Sequence, residues 1–340
     1  MNIYINFYIN FHLNKYRIIN YMRIVVTGAS GMVGNYLKKI AEKNYKSHDF
    51  IYLNRSKNNK YTLDLTNRKN VMEFFEKENF DFIIHLAANV GGLFKNLKNN
   101  TKIFSDNIKM NENILEACHK NNINRGIFCL SSCIFPHNPS KFPMTEQMIL
   151  ESEPHYSNRG YAYAKRMLYI QCQNYNKDFN KEYICVAPVN MYGRYDNFNL
   201  ENGHFIPSII HRFYNEKNND KLIAYGTGKP LRQLLYAEDF SVIICKLLFN
   251  SSLTNNNDLI NISNSNEFSI KYYIEKIAEI MNIDKSKIIW DTTKSDGCLR
   301  KTVDNSILKK IFPNYQFTSL ENGLKITYEW FIENYNSCRK

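Results

Sequence analysis

Nowhere does the chain carry the roughly 18–20 consecutive apolar residues that a membrane-spanning helix needs, so a helical membrane protein is not expected. It has eight cysteines but no CxxC pair and no zinc-like spacing, which argues against a structural metal. Unpaired thiols suit a reducing compartment, and a cytoplasmic protein is expected. Repeats and Pro- or Ser-rich linkers are also missing, so the parts of the chain should pack tightly together. Acidic side chains are in deficit, 32 against 44 Lys and Arg, for a formal charge of +12. That excess lies among asparagines, as in "NRSKNNK" and "NEKNNDK", and no nucleic-acid motif accompanies it. We expect no nucleic-acid partner, although a positive field would favour a small anionic ligand. Residues 1–21, "MNIYINFYINFHLNKYRIINY", lack an uninterrupted apolar core and a small-residue cleavage site. They read as an extension of little structure, with Met22 a natural start just before a strand.

What the sequence does contain is an alternation. Of its 340 residues, 44% are hydrophobic, enough for a two-part globular fold. Apolar runs at 23–27, 50–54, 81–88, 125–132 and 183–188 read as buried strands. The stretches between them are amphipathic with helical period, including 102–121 and 160–179. Strands joined by helical crossovers predict an α/β fold with a doubly wound parallel sheet covered on both faces. Past about residue 190 the rhythm loosens. Helices are expected around 204–217, 237–250 and 269–282, with short strands near 221–228 and 258–263. The division is therefore an extension at 1–21, a nucleotide-binding domain at 22–190 with a returning segment near 231–262, and a mainly substrate-binding domain at 191–340.

"VVTGASGMVG" joins the first strand to its helix and sets Gly28, Gly31 and Gly34 in a GxxGxxG spacing. Glycine there permits a tight turn, close approach of backbone to a diphosphate and close helix–strand packing. The helix N-terminus favours negative phosphate. Alone the pattern is weak; after a strand and before a helix it predicts a Rossmann dinucleotide site, with Ala29, Ser30, Met32 and Val33 completing the turn. The second strand ends in "LNRSK", where Arg55 replaces the carboxylate that would hold the ribose of NAD. A guanidinium there suits the extra phosphate of NADP, so NADP is the expected cofactor, with NADPH as reductant. A solvated loop arginine is the alternative. Asp64 is a candidate on the adenine side.

"GYAYAKRM" places Tyr161 and Lys165 four apart on one helix face, while Tyr163 points elsewhere. Half-ionising a tyrosine at neutrality requires a shift of about three pKa units, roughly 4 kcal/mol, which a nearby ammonium can help supply. Ser131, at the end of the fourth strand, is placed to hydrogen-bond the same substrate oxygen. A chain with 24 tyrosines produces YxxxK by chance, but the combination with an upstream serine and the glycine turn is specific. On these residues the chain resembles the extended short-chain dehydrogenase/reductase family. The resemblance implies hydride transfer between a nicotinamide and a carbon bearing oxygen, with Tyr161 handling the proton and Lys165 tuning the tyrosine and holding the nicotinamide ribose.

Cys133, in "SSCIFP", is unnecessary to such a reductase. On a continuing strand it would face the same side as Ser131, and a small buried hydrophobe is its plain alternative. Longer motifs narrow the resemblance: "HLAANVGGLFKN" (85–96), "YDNFNLENGHFIP" (195–207), "YGTGKPLRQLLY" (225–236) and "DTTKSDGCLRK" (291–301). They are similar, from Met22 onward, to the branch of the family whose substrate is GDP-4-keto-6-deoxy-D-mannose. That likeness implies inversion at C3 and C5 by Cys133 and His204, followed by reduction of the C4 ketone. Thiol and imidazole both exchange protons near neutrality, although His204 could instead merely cap a helix. By the same likeness Ala87, Pro188, Val189, Asn190, Met191 and His204 would touch the cofactor. Arg212, Tyr225, Arg232, Asp296 and Lys301 would touch the GDP-sugar. Val189 stands where a threonine is expected, and Tyr225 where a tryptophan is. A nucleotide-sugar 4-epimerase or dehydratase with tightly held NAD is the nearest rival. His85 should be structural, and His211 should lie near substrate or solvent. A homodimer built on the helices at 102–121 and 159–177 is also implied.

Overall fold

Five of the apolar runs become the buried strands of one sheet. A computed structural model describes residues 21–55, 60–250 and 258–340, apart from the side chains of residues 93 and 94. The expectation for the N-terminal extension therefore lies almost wholly outside the described residues. In chain order the first half is β1 (Arg23–Thr27), α1 (Met32–Asn44), β2 (Asp49–Asn54), β3 (Tyr61–Thr62), α2 (Arg68–Lys77), β4 (Phe82–His85), α3 (Leu93–Lys98), α4 (Asn100–Lys120), β5 (Arg125–Cys129), α5 (Arg159–Phe179) and β6 (Glu182–Pro188). The second half adds β7 (Asn190–Tyr192), α6 (Phe205–Glu216), β8 (Leu222–Tyr225), β9 (Leu231–Arg232), β10 (Leu234–Tyr236), α7 (Ala237–Phe249), β11 (Leu259–Ile262), β12 (Phe268–Ser269), α8 (Ile270–Ile280), β13 (Ile288–Asp291), β14 (Arg300–Lys301), α9 (Ser306–Ile311) and α10 (Leu320–Glu333).

The main sheet has seven strands in the order β3-β2-β1-β4-β5-β6-β11. All its pairings are parallel, with Val25 opposite both Ile51 and Ile83, and Ile127 opposite Ile84 and Ile184. Val25, Val26, Ile83, Ile84 and Ile127 are fully buried, as strands covered on both faces require. The chain moves from β1 outward to β3, then returns across β1 to β4. Right-handed crossovers put the helices before and after such a reversal on opposite faces. Accordingly α1 packs against α7, while α4 packs against α2 and α5. The crevice beyond the carboxyl ends of β1 and β4 is where such sheets bind ligands.

The late strand β11 pairs with β6 through Ile260 and Val186, so the chain does return to the sheet after leaving it. The remaining short strands form three small sheets: β7 with β10, β8 with β13, and β9 between β12 and β14. They gather the loops after β6 over the same end of the main sheet. Two ladder ends fall short of the apolar runs. β4 stops at His85 rather than continuing to 88, and β5 stops at Cys129 rather than 132. In both cases the chain leaves the ladder at the sheet's carboxyl edge after one further bond, from Leu86 N to Thr27 O at 3.3 Å and from Leu130 N to Val186 O at 2.8 Å.

Gly34 fixes α1 against the turn that precedes it. A Cβ at this position would lie 2.6 Å from the Ala29 carbonyl carbon, inside any tolerated contact and against immobile backbone. Gly34→Ala must push α1 away from β1, costing about 1–3 kcal/mol as overpacking. We expect a lower thermal midpoint together with weakened NADPH affinity, measured by calorimetric melting and fluorescence titration.

Candidate active site

A cavity of about 1120 Å³ opens at the carboxyl edge of the sheet. It exceeds the usual range for one small ligand and has room for two nucleotides. At one end lies the glycine turn. Gly28 has φ +71°, and a Cβ there would stand 2.7 Å from Ala87 N; only glycine gives both the left-handed backbone and the close approach to β4's continuation. Gly31 occupies the cap position of α1 with no side-chain cap and no acidic residue in the first turn. The helix end is thus left to an anion. Ser30, Met32 and Val33 face the cavity, whereas Ala29 is fully buried behind the turn and donates its N–H to Leu53 O at 3.3 Å. Ala29 therefore shapes the turn and stays out of the cavity.

Arg55, exposed at the end of β2, lines the adenosine end beside Asp64 and Lys102. The N–H and hydroxyl of Thr66 donate to Asp64 Oδ1 at 3.0 and 2.8 Å. These bonds, aided by the charges of Arg55 and Lys102, hold the carboxyl below its usual value against burial. Two cations and a backbone-anchored carboxylate suit a phosphorylated ribose. The cradle, the open helix end and Arg55 together fit NADP. Lys102, on α4, had no sequence signal, because only the fold brings α4 to the end of β2.

The chemistry-bearing side chains meet at the middle of the cavity. Ser131 does not sit on a strand with Cys133. It caps a 3₁₀ turn, Ser132–Ile134, and its Oγ accepts the Cys133 N–H at 3.2 Å. The turn, rather than strand alternation, brings both side chains to the cavity. Lys165 is 1% exposed and donates to Cys129 O at 2.6 Å, pinning α5 to the end of β5. Burial draws its ammonium below the usual lysine value. Tyr161, one turn earlier, is also buried, with its ring centroid 6.0 Å from Lys165 Nζ. Burial, with the Cys129 and Cys133 thiols, drives the Tyr161 phenol well above its ordinary value. The lowering expected from Lys165 is not among these influences, and the phenol is favoured in its protonated form. Tyr163 lies outside the site, its ring beneath Arg159 and Arg166.

His204 precedes α6 at its cap position, but its side chain makes no capping bond. The imidazole is left open to the cavity. Its surface is exposed to the cavity, yet the many atoms of the surrounding cleft walls, followed by the charges of Arg339 and Lys95, depress its pKa. The other histidines fall elsewhere. His85 is wholly buried between Thr27 Oγ1 at 2.8 Å and Asn111 Oδ1 at 3.2 Å, its pKa pushed down to about 3 mainly by burial. His211, expected near substrate or solvent, is buried against Phe331 and Tyr335 and bonds Phe198 O at 2.8 Å.

Basic groups surround the far end. Arg232 lines the cavity, donating to Leu231 O, and burial lowers its pKa. Arg212 lies 4.0 Å over the Tyr225 ring and donates to Ile223 O, so the tyrosine keeps the aromatic platform. Lys301 donates to Cys133 Sγ at 3.7 Å. Asp296 accepts from Thr227 N and Thr227 Oγ1, both at 2.7 Å, and shapes the turn at Gly226, whose φ is +83°. Pro188, Val189, Asn190 and Met191 run along the cavity between the two ends.

A diphosphate cradle joined to a Ser–Tyr–Lys centre defines a nicotinamide-dependent oxidoreductase of the nucleotide-sugar type. Residues 24–263 match the NAD dependent epimerase/dehydratase family. Within that class the chain belongs to the GDP-L-fucose synthase family. The GDP-L-fucose synthase of Dictyostelium discoideum is 39% identical over 322 residues, covering 93% of this chain and 97% of that protein. The one from Escherichia coli is 31% identical, covering 93% and 98%. A crystal structure of a GDP-L-fucose synthetase from Naegleria fowleri bound to NADP superposes with a TM-score of 0.85 at 34% identity, covering 96% of this chain and 97% of that one.

Asp196, beside the cavity, carried no signal of its own within "YDNFN". It is 3% exposed, Oδ1 accepts Asn197 N–H at 2.7 Å, and buried Oδ2 has no partner. Burial, only partly offset by that N–H and by Arg339, raises its pKa to about 7. The folded state therefore holds a proton that the unfolded state has lost above about pH 3.9. Stability should fall as pH rises from about 4 through 7, by up to about 4 kcal/mol. Asp196→Asn should flatten this dependence, seen as urea midpoints at pH 5 and pH 8 that converge relative to the parent protein.

Proposed function

We propose that this chain converts GDP-4-keto-6-deoxy-D-mannose to GDP-L-fucose, by 3,5-epimerisation followed by reduction at C4. The observation that carries the reading is the shared cavity: Ser131, Cys133, Tyr161, Lys165 and His204 line it together with the glycine turn. The C4 ketone acidifies the hydrogens at C3 and C5, and Cys133 and His204 exchange protons at those carbons. The phenol of Tyr161, kept protonated by burial, hydrogen-bonds the enolate oxygen during epimerisation. The Ser131 hydroxyl, whose oxygen already accepts from Cys133 N, donates to the same oxygen. Bound NADPH supplies the hydride to C4. Tyr161 then gives its proton to the C4 oxygen, and Lys165 holds the ribose. Arg232, Arg212 and Lys301 receive the diphosphate and sugar of the substrate, with Asp296 holding the loop that faces them.

In this reading residues 22–190, with the returning 231–262 segment, bind the cofactor, and 191–340 mainly the sugar nucleotide. A second copy of the chain packs on α4 and α5, where Phe104 and Met167 are exposed. All eight cysteines are unpaired, which supports a reducing, cytoplasmic setting. A 4-epimerase with fixed NAD would need neither Cys133 nor Arg55 in the cavity.

Incubation with GDP-4-keto-6-deoxy-D-mannose and NADPH, followed by identification of the sugar, tests the reading directly. Cys133→Ser should slow solvent-deuterium exchange at C3 and C5 by about 10²-fold or more while NADPH affinity holds. Tyr161→Phe should chiefly suppress reduction. Loss of cofactor binding alone in both variants would refute this division of roles. Arg55→Ala should cut the NADPH-over-NADH preference in kcat/KM by about tenfold; equal efficiency with both cofactors before and after substitution would remove Arg55 from phosphate recognition.

A further inference from the structure

His204 rides on a loop that no ladder of the main sheet holds. Asn199 closes the loop on itself: its Oδ1 accepts from Glu201 N at 3.0 Å and Asn202 N at 2.8 Å, and its carbonyl from Gly203 N at 2.9 Å. The loop begins at Tyr195 with φ +65°, a left-handed backbone that a bulky side chain rarely adopts. The Tyr195 ring is wedged edge-on between Trp330 of α10 at 5.1 Å and Tyr36 of α1 at 5.4 Å. Arg339, beyond α10, completes the hold. Its guanidinium donates to Tyr195 O at 2.7 Å, and its carbonyl accepts the Phe198 N–H at 2.7 Å. The two bonds bracket Asp196.

Any residue could supply the carbonyl. The guanidinium is different, because Arg339 is exposed on one side yet lines the cavity on the other. It contributes nothing to the core. The charged groups that act on His204 are Arg339 and Lys95 from α3, both cations. Asp196, on the same loop, is a carboxylic acid whose charge burial resists.

We propose that Arg339 is a positioning residue for His204: it clamps the loop at Tyr195 and Phe198 from one side of the cavity, and brings a positive charge to the wall on which the imidazole stands. This rests on the reading of His204 as a proton-transfer group. A cation outside the reacting atoms thereby sets where the imidazole stands, and its charge adds to the burial that lowers the imidazole pKa. Lys95 acts in the same electrical sense but bonds Val90 O, away from the loop, so it does not share the clamp.

Arg339→Met and Arg339→Lys test this in the full-length enzyme. The readouts are deuterium exchange into GDP-4-keto-6-deoxy-D-mannose without NADPH from pH 5 to 8.5, and the NMR titration of His204 in histidine-labelled protein. Arg339→Met should slow exchange about tenfold at pH 7. It should also raise the His204 midpoint, and the acid limb of the exchange profile, by about half a pH unit, since an exposed cation is partly screened. Arg339→Lys should restore the midpoint but only part of the rate, because an ammonium lacks the planar fork. Unchanged exchange and midpoint in Arg339→Met overturn the proposal. So does slowed exchange with an unmoved midpoint that lysine fails to improve, the pattern of a purely structural clamp. Full exchange in His204→Gln would instead overturn the reading of His204 itself, whatever Arg339 does.

Discussion

The hydrogen bond from Lys165 to the Cys129 carbonyl ties this molecule's chemistry to its fold. It spans 2.6 Å between a buried ammonium and the last residue of a central strand. Through it α5 is registered on β5, and Tyr161 comes to lie beside the turn that presents Ser131 and Cys133. A buried charge with no carboxylate partner is costly and persists only when its donors are used. Here the cost is met by packing around it: Phe128, Ile127 and Ala164 are completely buried in the same layer. The fold supplies the stability that the site consumes.

Desolvation governs the site more than pairwise charge. It keeps Tyr161 in its acid form, lowers the pKa of the Lys165 ammonium and of the Arg232 guanidinium, and leads the influences that lower that of His204. A protonated phenol and a neutral imidazole are the forms that give and accept protons respectively, so in the proposed reaction one environment would prepare opposite roles. Exposed cations such as Arg55 lie at the cavity's rim, where water still screens them and an incoming phosphate can displace it.

Much of the architecture was legible because its signals were local. The strand at 23–27, the glycine turn and the helix after it follow from apolar runs and three glycines, and β11 was visible in "DLINIS". The Tyr161–Lys165 pair needed only helical spacing. What escaped notice depended on the third dimension. The 3₁₀ turn at Cys133 arises where the chain leaves β5, and an apolar run gives no sign that ladder bonds have ended. Lys102, Asp196 and Arg339 come from α4, the 195–204 loop and the segment beyond α10, and meet the site only after folding. The raised pKa of Tyr161 is likewise illegible in spacing, which shows a neighbour's charge but not the burial around the phenol. His211 shares a helix with Arg212, yet faces Phe331 while Arg212 faces Tyr225.

Tyr36 links the two halves of the cavity. It sits on the helix that receives the diphosphate, donates its hydroxyl proton to Tyr236 Oη at 2.9 Å and accepts the Arg194 N–H at 3.0 Å, immediately before Tyr195. One phenol thus fastens the helix that follows the glycine turn to the start of the segment that leads to His204, so the two ends of the chamber share a single anchor and hold their spacing through it.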